Sequence, residues 1–466
     1  MTLWLPKLPQ GRRGQTEAIV AALAADIASG TLRPGQRLPT HRELAFRLGI
    51  AVATVTKAYT EAKRHGYLRT GVGDGTFVLE PLLAARRRIR RDDVTTDGID
   101  LSFNTPITTL GQDATLAETL ERLGHDSTTV QSFLDYHRPW SGRDHHRRIG
   151  VAWLDALGIA ANPEDVTVTC GAQHAACIAL LSNLSAGDIL LTEELTDPLT
   201  KFLATTLRFE LRSVRMDEQG LCIKALGEAC RGGRARGLLC MPDHQSPTAV
   251  VMPEARRRAI AELARRHDLM ILENDVYRPL VPDAPPPISA LAPERSFVFS
   301  SFSKIIAPGL RTGFLVAPPG RTRDLILGLG ATSWMASPIT TEIACRWIED
   351  GTAAQLANLQ REELRVRNSI AARLLERFRP GALPSGMHVW LTLPSPWRVD
   401  AFVRELAANG TTVLPSDAFA VGRTNVPHAV RISLGGAAAS RARLEEGLST
   451  IATLLTGQGN TAYVPV

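Results

Sequence analysis

Long hydrophobic runs are missing from this 466-residue chain. No stretch reaches the about 18 uninterrupted apolar residues that a membrane-spanning helix needs, so no membrane partner is expected. Cysteine is sparse: six thiols stand at 170, 177, 222, 230, 240 and 345, with no C-x-x-C pair. That scatter argues against a disulfide framework or a structural zinc site and fits a reducing compartment. The opening MTLWLPKLPQGRRG lacks the apolar core of a secretory signal, so a cytoplasmic location is expected. No internal repeat is found. Lysine is scarce, six against 47 arginines, and only three lysines lie beyond residue 78. What is present is ordinary: 44% hydrophobic and 21% charged residues exclude a collagen, a coiled coil and a mostly disordered chain. The length suggests about two or three domains.

The net charge of +6 is confined to one end. Residues 1–78 hold 11 basic and 5 acidic side chains, and the remainder balances. A small basic module on a neutral body suggests a polyanion partner for the small part alone. In it, Ile19, Ala22, Leu23 and Ile27 recur at helical spacing, and Gly30 ends that helix. Thr40 with Glu43 forms a capping box that opens a second helix, and Gly49 closes it at a tight corner. A third helix, from about Val52 to His65, turns Val55, Ala58 and Tyr59 inward. YLR and TFV then flank the glycine-rich GVGDG as a short hairpin. Three helices and a hairpin make a winged helix–turn–helix, whose recognition helix enters the DNA major groove. Exposed candidates for phosphate or base contact are Arg42, Thr54, Lys57, Lys63, Arg64 and Arg69; the alternative is that these are plain solvated groups.

The run LPTHRELAFRLGIAVATVTKAYTEAKRHGYLRTGVGDGTFV (38–78) resembles the GntR-type winged helix–turn–helix. The likeness rests on the L-P-[ST]-x-R-x-L-A opening, the T-V-x-x-A-Y recognition helix and the G-T-F-V wing end. It implies a DNA-binding domain over 12–79. The Ser-Arg pair that usually enters the recognition helix is replaced by Ala51 and Val52, so one contacting arginine is missing. Residues 80–98 carry five arginines within 86–91 and read as a linker, one whose cations could add phosphate contacts.

From about 99 to 330, apolar β-rich runs (DVTVT, DILLT, GLLCM, LMILEN, SFVFSSFSK, GFLVAP) alternate with helical stretches. That predicts an α/β fold with a mixed, mostly parallel sheet. Ligands in such sheets bind beyond the carboxyl ends of the strands, so the loops there are informative. TCGAQHAA (169–176) puts a glycine at a helix start, where free backbone N–H groups suit a phosphate. ILENDVYRPL (271–280) sets Asn274, Asp275 and Tyr277 at a strand end. SSFSKIIAPGLRTG (300–313) offers Ser301, Ser303, Lys304 and Arg311. A Schiff base needs an amine that can lose its proton, which arginine cannot do. Lys304 stands among Phe302, Ile305, Ile306 and Leu310, whose burial lowers a lysine pKa. RDHHRR (143–148) sets two histidines side by side; neighbours on a helix face different ways, so no metal site is expected.

Over about residues 100–450 the constellation resembles the fold-type I pyridoxal 5'-phosphate (PLP) enzymes of the aminotransferase class. The resemblance implies that Lys304 holds PLP covalently. Ser301, Ser303 and Arg311 would bind its phosphate with a backbone cradle at Gly171, Ala172 and Gln173. Tyr277 would hydrogen-bond its phenolic oxygen. Arg431, in HAVRISLGG, would clamp a substrate carboxylate with its bidentate fork. Tyr136, in YHRPWSG, would lie near the substrate. GMHVWLTLP (386–394) looks like a strand of the small α+β C-terminal domain of this class, so 99–466 is expected to form one aminotransferase class I/II-like body. A GntR-type reader fused to such a body is the pattern of the MocR/GabR family of bacterial transcription regulators. It implies DNA, an amine, amino-acid or B6-vitamer effector, and a second copy of the chain as partners.

Three positions depart from the aminotransferase pattern. The carboxylate that pairs with the pyridine nitrogen belongs three residues before Tyr277, where Asn274 stands. Asp275 is adjacent and, on a strand, points to the opposite face. A neutral amide does not hold the ring nitrogen protonated as a carboxylate does. Ser246 stands for the asparagine of the usual N-P-T-G loop, and Asp197 for the aromatic that stacks on the ring. Two readings are open. Either Asp275 is the pyridine partner in a shifted register, or the catalytic apparatus has decayed while covalent anchoring survives. The expected function is accordingly a PLP-binding transcription regulator with weak or no transamination; the alternative is an active aminotransferase carrying a DNA-binding head.

Overall fold

A computed structural model describes residues 4–6, 14–28, 31–32, 36–64, 67–71, 75–78, 98–108, 110–422, 426–438 and 440–457. The chain divides into two compact units, 1–96 and 97–466. Except for Gly98, the expected linker lies outside the described residues.

The first unit holds α1 (Gln15–Ala28), α2 (His41–Leu48), α3 (Val52–Arg64) and an antiparallel hairpin of β1 (Leu68–Gly71) and β2 (Gly75–Val78). The α2 start is set by the Thr40 hydroxyl, which accepts from the Glu43 N–H at 3.3 Å. Its end is set by Gly49, at φ 63°, where a side chain would be strained. Ile19, Leu23, Leu44, Val55, Ala58 and Tyr59 meet in one core, which Leu68 and Val78 of the hairpin close. The buried Tyr59 hydroxyl donates to the Pro39 carbonyl at 3.1 Å.

The second unit is built on a seven-stranded sheet. Its strands are β3 (Val166–Thr169), β4 (Ile189–Glu193), β5 (Glu210–Val214), β6 (Ala235–Cys240), β7 (Met270–Asn274), β8 (Ser296–Ser301) and β9 (Gly313–Val316). The spatial order is β3-β9-β8-β7-β6-β4-β5, and only β9 runs antiparallel to its neighbours. Residues 302–312 between β8 and β9 hold no crossover helix, so the chain can only turn back. β4 and β8 are buried along their whole length, the condition of strands covered on both faces. On one face α5 (Ala172–Asn183) packs on Leu190, Leu239, Leu272 and Phe297. On the other, Ile260 and Leu263 pack on Leu191, Leu238 and Ile271. Three further helices matter for the site: α4 (Asp144–Asp155), α6 (Pro198–Leu207) and α7 (Pro338–Glu349). A small antiparallel sheet of β10 (His388–Thr392), β11 (Leu414–Pro415) and β12 (Ala429–Ser433), with helices Val399–Ala408 and Arg441–Thr456, forms the α+β C-terminal part. No described helix is long and apolar enough to cross a membrane.

Candidate functional site

The loops that follow β3, β6, β7 and β8 bring the candidate residues together. Beyond β8 the chain makes a tight turn, Phe302–Lys304, held by the Ser301 hydroxyl accepting from the Ser303 N–H at 3.1 Å. The turn aims the Lys304 amine at the carbonyl oxygen of Asn104, 2.8 Å away, and 5.1 Å from the Phe103 ring centre. Burial pushes the Lys304 pKa down to about 8; Asp197 opposes the shift, while Arg431 and Arg311 add to it. About a fifth of this amine is therefore neutral near physiological pH, far more than for an ordinary lysine.

Gly171 caps α5 at φ 87° with no side-chain cap, so the N–H groups of Ala172 and Gln173 open the first turn. Arg311 spans the gap, donating to the Ser303 hydroxyl and to the Cys170 carbonyl, both at 3.0 Å. A Cβ at Gly171 would lie 3.1 Å from the Arg311 guanidinium and 3.5 Å from the Ser301 hydroxyl. Helix dipole, hydroxyls and guanidinium thus converge on one point, a donor set that suits a phosphate.

Tyr277 is buried, and its hydroxyl accepts from the Asn104 amide at 2.9 Å. Burial pushes its pKa up to about 12, so it stays protonated. The structure separates Asn274 from Asp275. Asn274 shares its face of β7 with Leu272, which packs toward α5, and its Oδ1 is buried without a partner among the described residues. Asp275 shares the other face with Glu273, whose carboxylate accepts from the Ile288 and Ser289 N–H groups at 2.8 Å. Burial, Asp243 and Glu273 push the Asp275 carboxyl upward, and Arg278 at 3.8 Å is its counter-charge.

Arg431 on β12 is buried and donates to the Ser246 hydroxyl at 3.0 Å and the Ser102 carbonyl at 2.8 Å. Ser246 is therefore tied to Arg431, while the amide beside Tyr277 comes from Asn104. Asp197 caps α6, accepting from the Leu199 N–H at 2.8 Å. Tyr136, 69% exposed, packs on Trp334 with ring centres 5.6 Å apart. Sequence reasoning missed Asn104, Phe103 and His388.

The two histidines of RDHHRR do meet at one side chain, which corrects the expectation that helix neighbours face apart. The His146 ring nitrogen lies 2.9 Å and that of His145 3.4 Å from the same Glu342 oxygen. Both imidazoles reach past the α4 start to a carboxylate that projects from α7, which spacing within one helix cannot reveal. The other Glu342 oxygen accepts from Arg346 at 3.0 Å. The hydrogen bond from His146 leads in holding the Glu342 carboxyl down to about 2. With Arg346 on that carboxylate, the cluster reads as a tie between α4 and α7, and no metal is assigned.

In the first unit Arg42 is exposed at the second position of α2. Lys63 lowers the pKa of His41, whose ring is 3.1 Å from the Thr56 hydroxyl across the α2–α3 corner, although burial is the larger cause. Thr54 is half-buried. Lys57 instead lines a groove with Thr16, Val20 and Glu61, between α1 and α3. The side chains of Arg64 and Arg69 lie outside the described residues. Val52 is 44% exposed at the place of the missing arginine. Arg42→Ala is accordingly expected to weaken binding to the chain's own upstream DNA about tenfold, with a salt slope shallower by about 1. Lys57→Ala should do far less, and Val52→Arg should tighten binding and steepen the slope. Mobility shifts at stepped salt check all three.

Comparison with known proteins agrees with both units. The profile "Aminotransferase class I and II" matches residues 96–451, and "Bacterial regulatory proteins, gntR family" matches 15–78. The chain is 26% identical over 452 residues to the uncharacterized HTH-type transcriptional regulator YdeF of Bacillus subtilis, covering 97% of this chain and 96% of that one. It is 29% identical over 404 residues to the HTH-type pyridoxine biosynthesis transcriptional regulator PdxR of Corynebacterium glutamicum, covering 83% and 84%. A Pyrococcus horikoshii kynurenine aminotransferase shares the fold, with a TM-score of 0.72 at 21% identity over 85% of this chain and 96% of that one.

Proposed function

The chain belongs to the aminotransferase class I and II family and carries a gntR-family DNA-binding head, as MocR-type transcription regulators do, and on that premise we propose that its large unit holds PLP on Lys304 and reports an amine, an amino acid or a B6 vitamer to the DNA-binding unit. The observation that carries the reading is the desolvated amine of the half-buried Lys304 beside a cradle at Gly171 that suits a phosphate. When bound, the cofactor supplies an aldehyde that captures amines reversibly. The residues fit it. Ser301, Ser303, Arg311 and the Ala172 and Gln173 N–H groups take the phosphate. Tyr277, protonated, donates to the phenolic oxygen. Arg431 turns from Ser246 and Ser102 to a ligand carboxylate.

Asn274 on the α5 side gives the ring nitrogen an amide instead of a carboxylate, and Asp197 gives the ring no aromatic to stack on. Both favour recognition over turnover. The relative named for pyridoxine biosynthesis adds a B6 vitamer to the effector classes. Exposed Leu134, Tyr136, Leu327 and Trp334 favour a second copy of the chain as partner. A ligand switches DNA binding only if it binds two states of the protein unequally. Mobility shifts on the chain's own upstream DNA, with PLP and then a panel of amino acids and amines, test the reading. A sensor changes DNA affinity with at least one ligand while the cofactor aldehyde persists. Rapid, complete loss of the aldehyde with unchanged DNA affinity would instead identify a working aminotransferase.

A further inference from the structure

Asn104 stands at a junction that the account above leaves unused. It is 2% exposed, its backbone carbonyl accepts from Lys304, and its side-chain nitrogen lies 2.9 Å from both the Tyr277 hydroxyl and His388 Nδ1. His388, buried on β10, places its Nε2 3.2 Å from the Gln245 carbonyl oxygen. A carbonyl oxygen only accepts, so the His388 proton sits on Nε2. Burial, then His244 and Arg431, push the His388 pKa well down, so the ring is neutral and Nδ1 carries only a lone pair. Nδ1 must accept, which turns the Asn104 nitrogen toward it and leaves Oδ1 buried without a partner among the described residues. The second amide proton goes to the Tyr277 oxygen. A phenol that accepts there keeps its own O–H free to donate elsewhere.

We infer that the Gln245 carbonyl and His388 fix the Asn104 amide as a double donor, and that this hydrogen-bond relay, diverging from the Asn104 nitrogen, holds Tyr277 as a donor toward the phenolic oxygen of the cofactor. Asn104 and His388 act through Tyr277 and are positioning residues. The inference rests on the proposed PLP site. The other charged or titratable groups around Tyr277 are Arg431 on β12, Asp197 at the α6 start and His244, whose ring centre is 5.2 Å away. The variants below leave all three in place.

The test is the pH titration of the visible absorbance of the PLP-loaded full chain. A donor at the phenolic oxygen favours the ionised form, so its loss raises the midpoint. Asn104→Ala and His388→Leu are expected to raise it by about one unit, a tenfold change in proton affinity. His388→Asn, whose side-chain oxygen can stand in for Nδ1, should restore the midpoint. In a Tyr277→Phe background, Asn104→Ala should add nothing, whereas a merely structural role would still shift the curve. An unmoved midpoint in Asn104→Ala, or an equal shift in the Tyr277→Phe background, overturns the relay alone. No visible band in the wild-type chain overturns the relay and the PLP reading together.

Discussion

Lys304→Ala is expected to abolish covalent retention of PLP. The visible absorbance of the loaded protein should fall to background after dialysis, and the effect of PLP on DNA binding should vanish with it. The reason is chemical rather than steric. Only a primary amine that sheds its proton can bond the aldehyde, and burial brings Lys304 within easy reach of that state. Lys304→Arg should fail equally, because a guanidinium keeps its proton. The same pKa sets a pH dependence. The reactive form is the neutral amine, so the rate at which the wild-type apo-protein captures PLP should rise with pH up to about 8 and level off above it. Stopped-flow absorbance reads that rate. A rate still climbing steeply at pH 10, the behaviour of an exposed lysine, would show that the amine is not desolvated in solution.

Asp243→Ala is expected to cost about 3–5 kcal/mol of stability in the second unit. Asp243 is fully buried between Arg257 and Arg278, themselves buried, and both guanidiniums donate to its carboxylate. Removing it leaves buried Arg257 without a counter-ion and Arg278 with only Asp275 at 3.8 Å, although Arg257 keeps carbonyl partners at Met252, Pro242 and Pro285. Asp243→Asn keeps an acceptor and should lose less. The urea midpoint read by circular dichroism checks both. The triad also braces the site: Asp243 precedes Ser246 in the loop after β6, and Arg278 follows Tyr277. Weaker PLP retention should therefore accompany the lost stability.

Local rules carried most of the first unit. The Thr40–Glu43 box and Gly49 mark the two ends of α2, because capping depends on residues three or four apart. Alternating β-rich and helical runs located six of the seven strands of the large sheet; the edge strand β5, partly exposed and half polar, was not among them. The stretch after Ser301 is too short for a crossover, in keeping with the reversal at β9. At the site, the residues found in advance are those on strand ends next to glycine, lysine or arginine. What stayed hidden depends on contacts between distant segments. Asn104 meets Tyr277 across 173 positions and His388 across 284, so no spacing could pair them. The faces of Asn274 and Asp275 follow from β7 alternation, but which face carries α5 is decided only by packing. The shared Glu342 partner of His145 and His146 lies on another helix and is equally invisible to periodicity.

Borohydride reduction of the PLP-treated full chain, followed by peptide mapping, tests the central claim most directly. The account expects one pyridoxyl adduct, on the peptide that carries Lys304, at stoichiometric yield. An adduct placed chiefly on Lys201 or Lys224, or no adduct at saturating PLP, would contradict it.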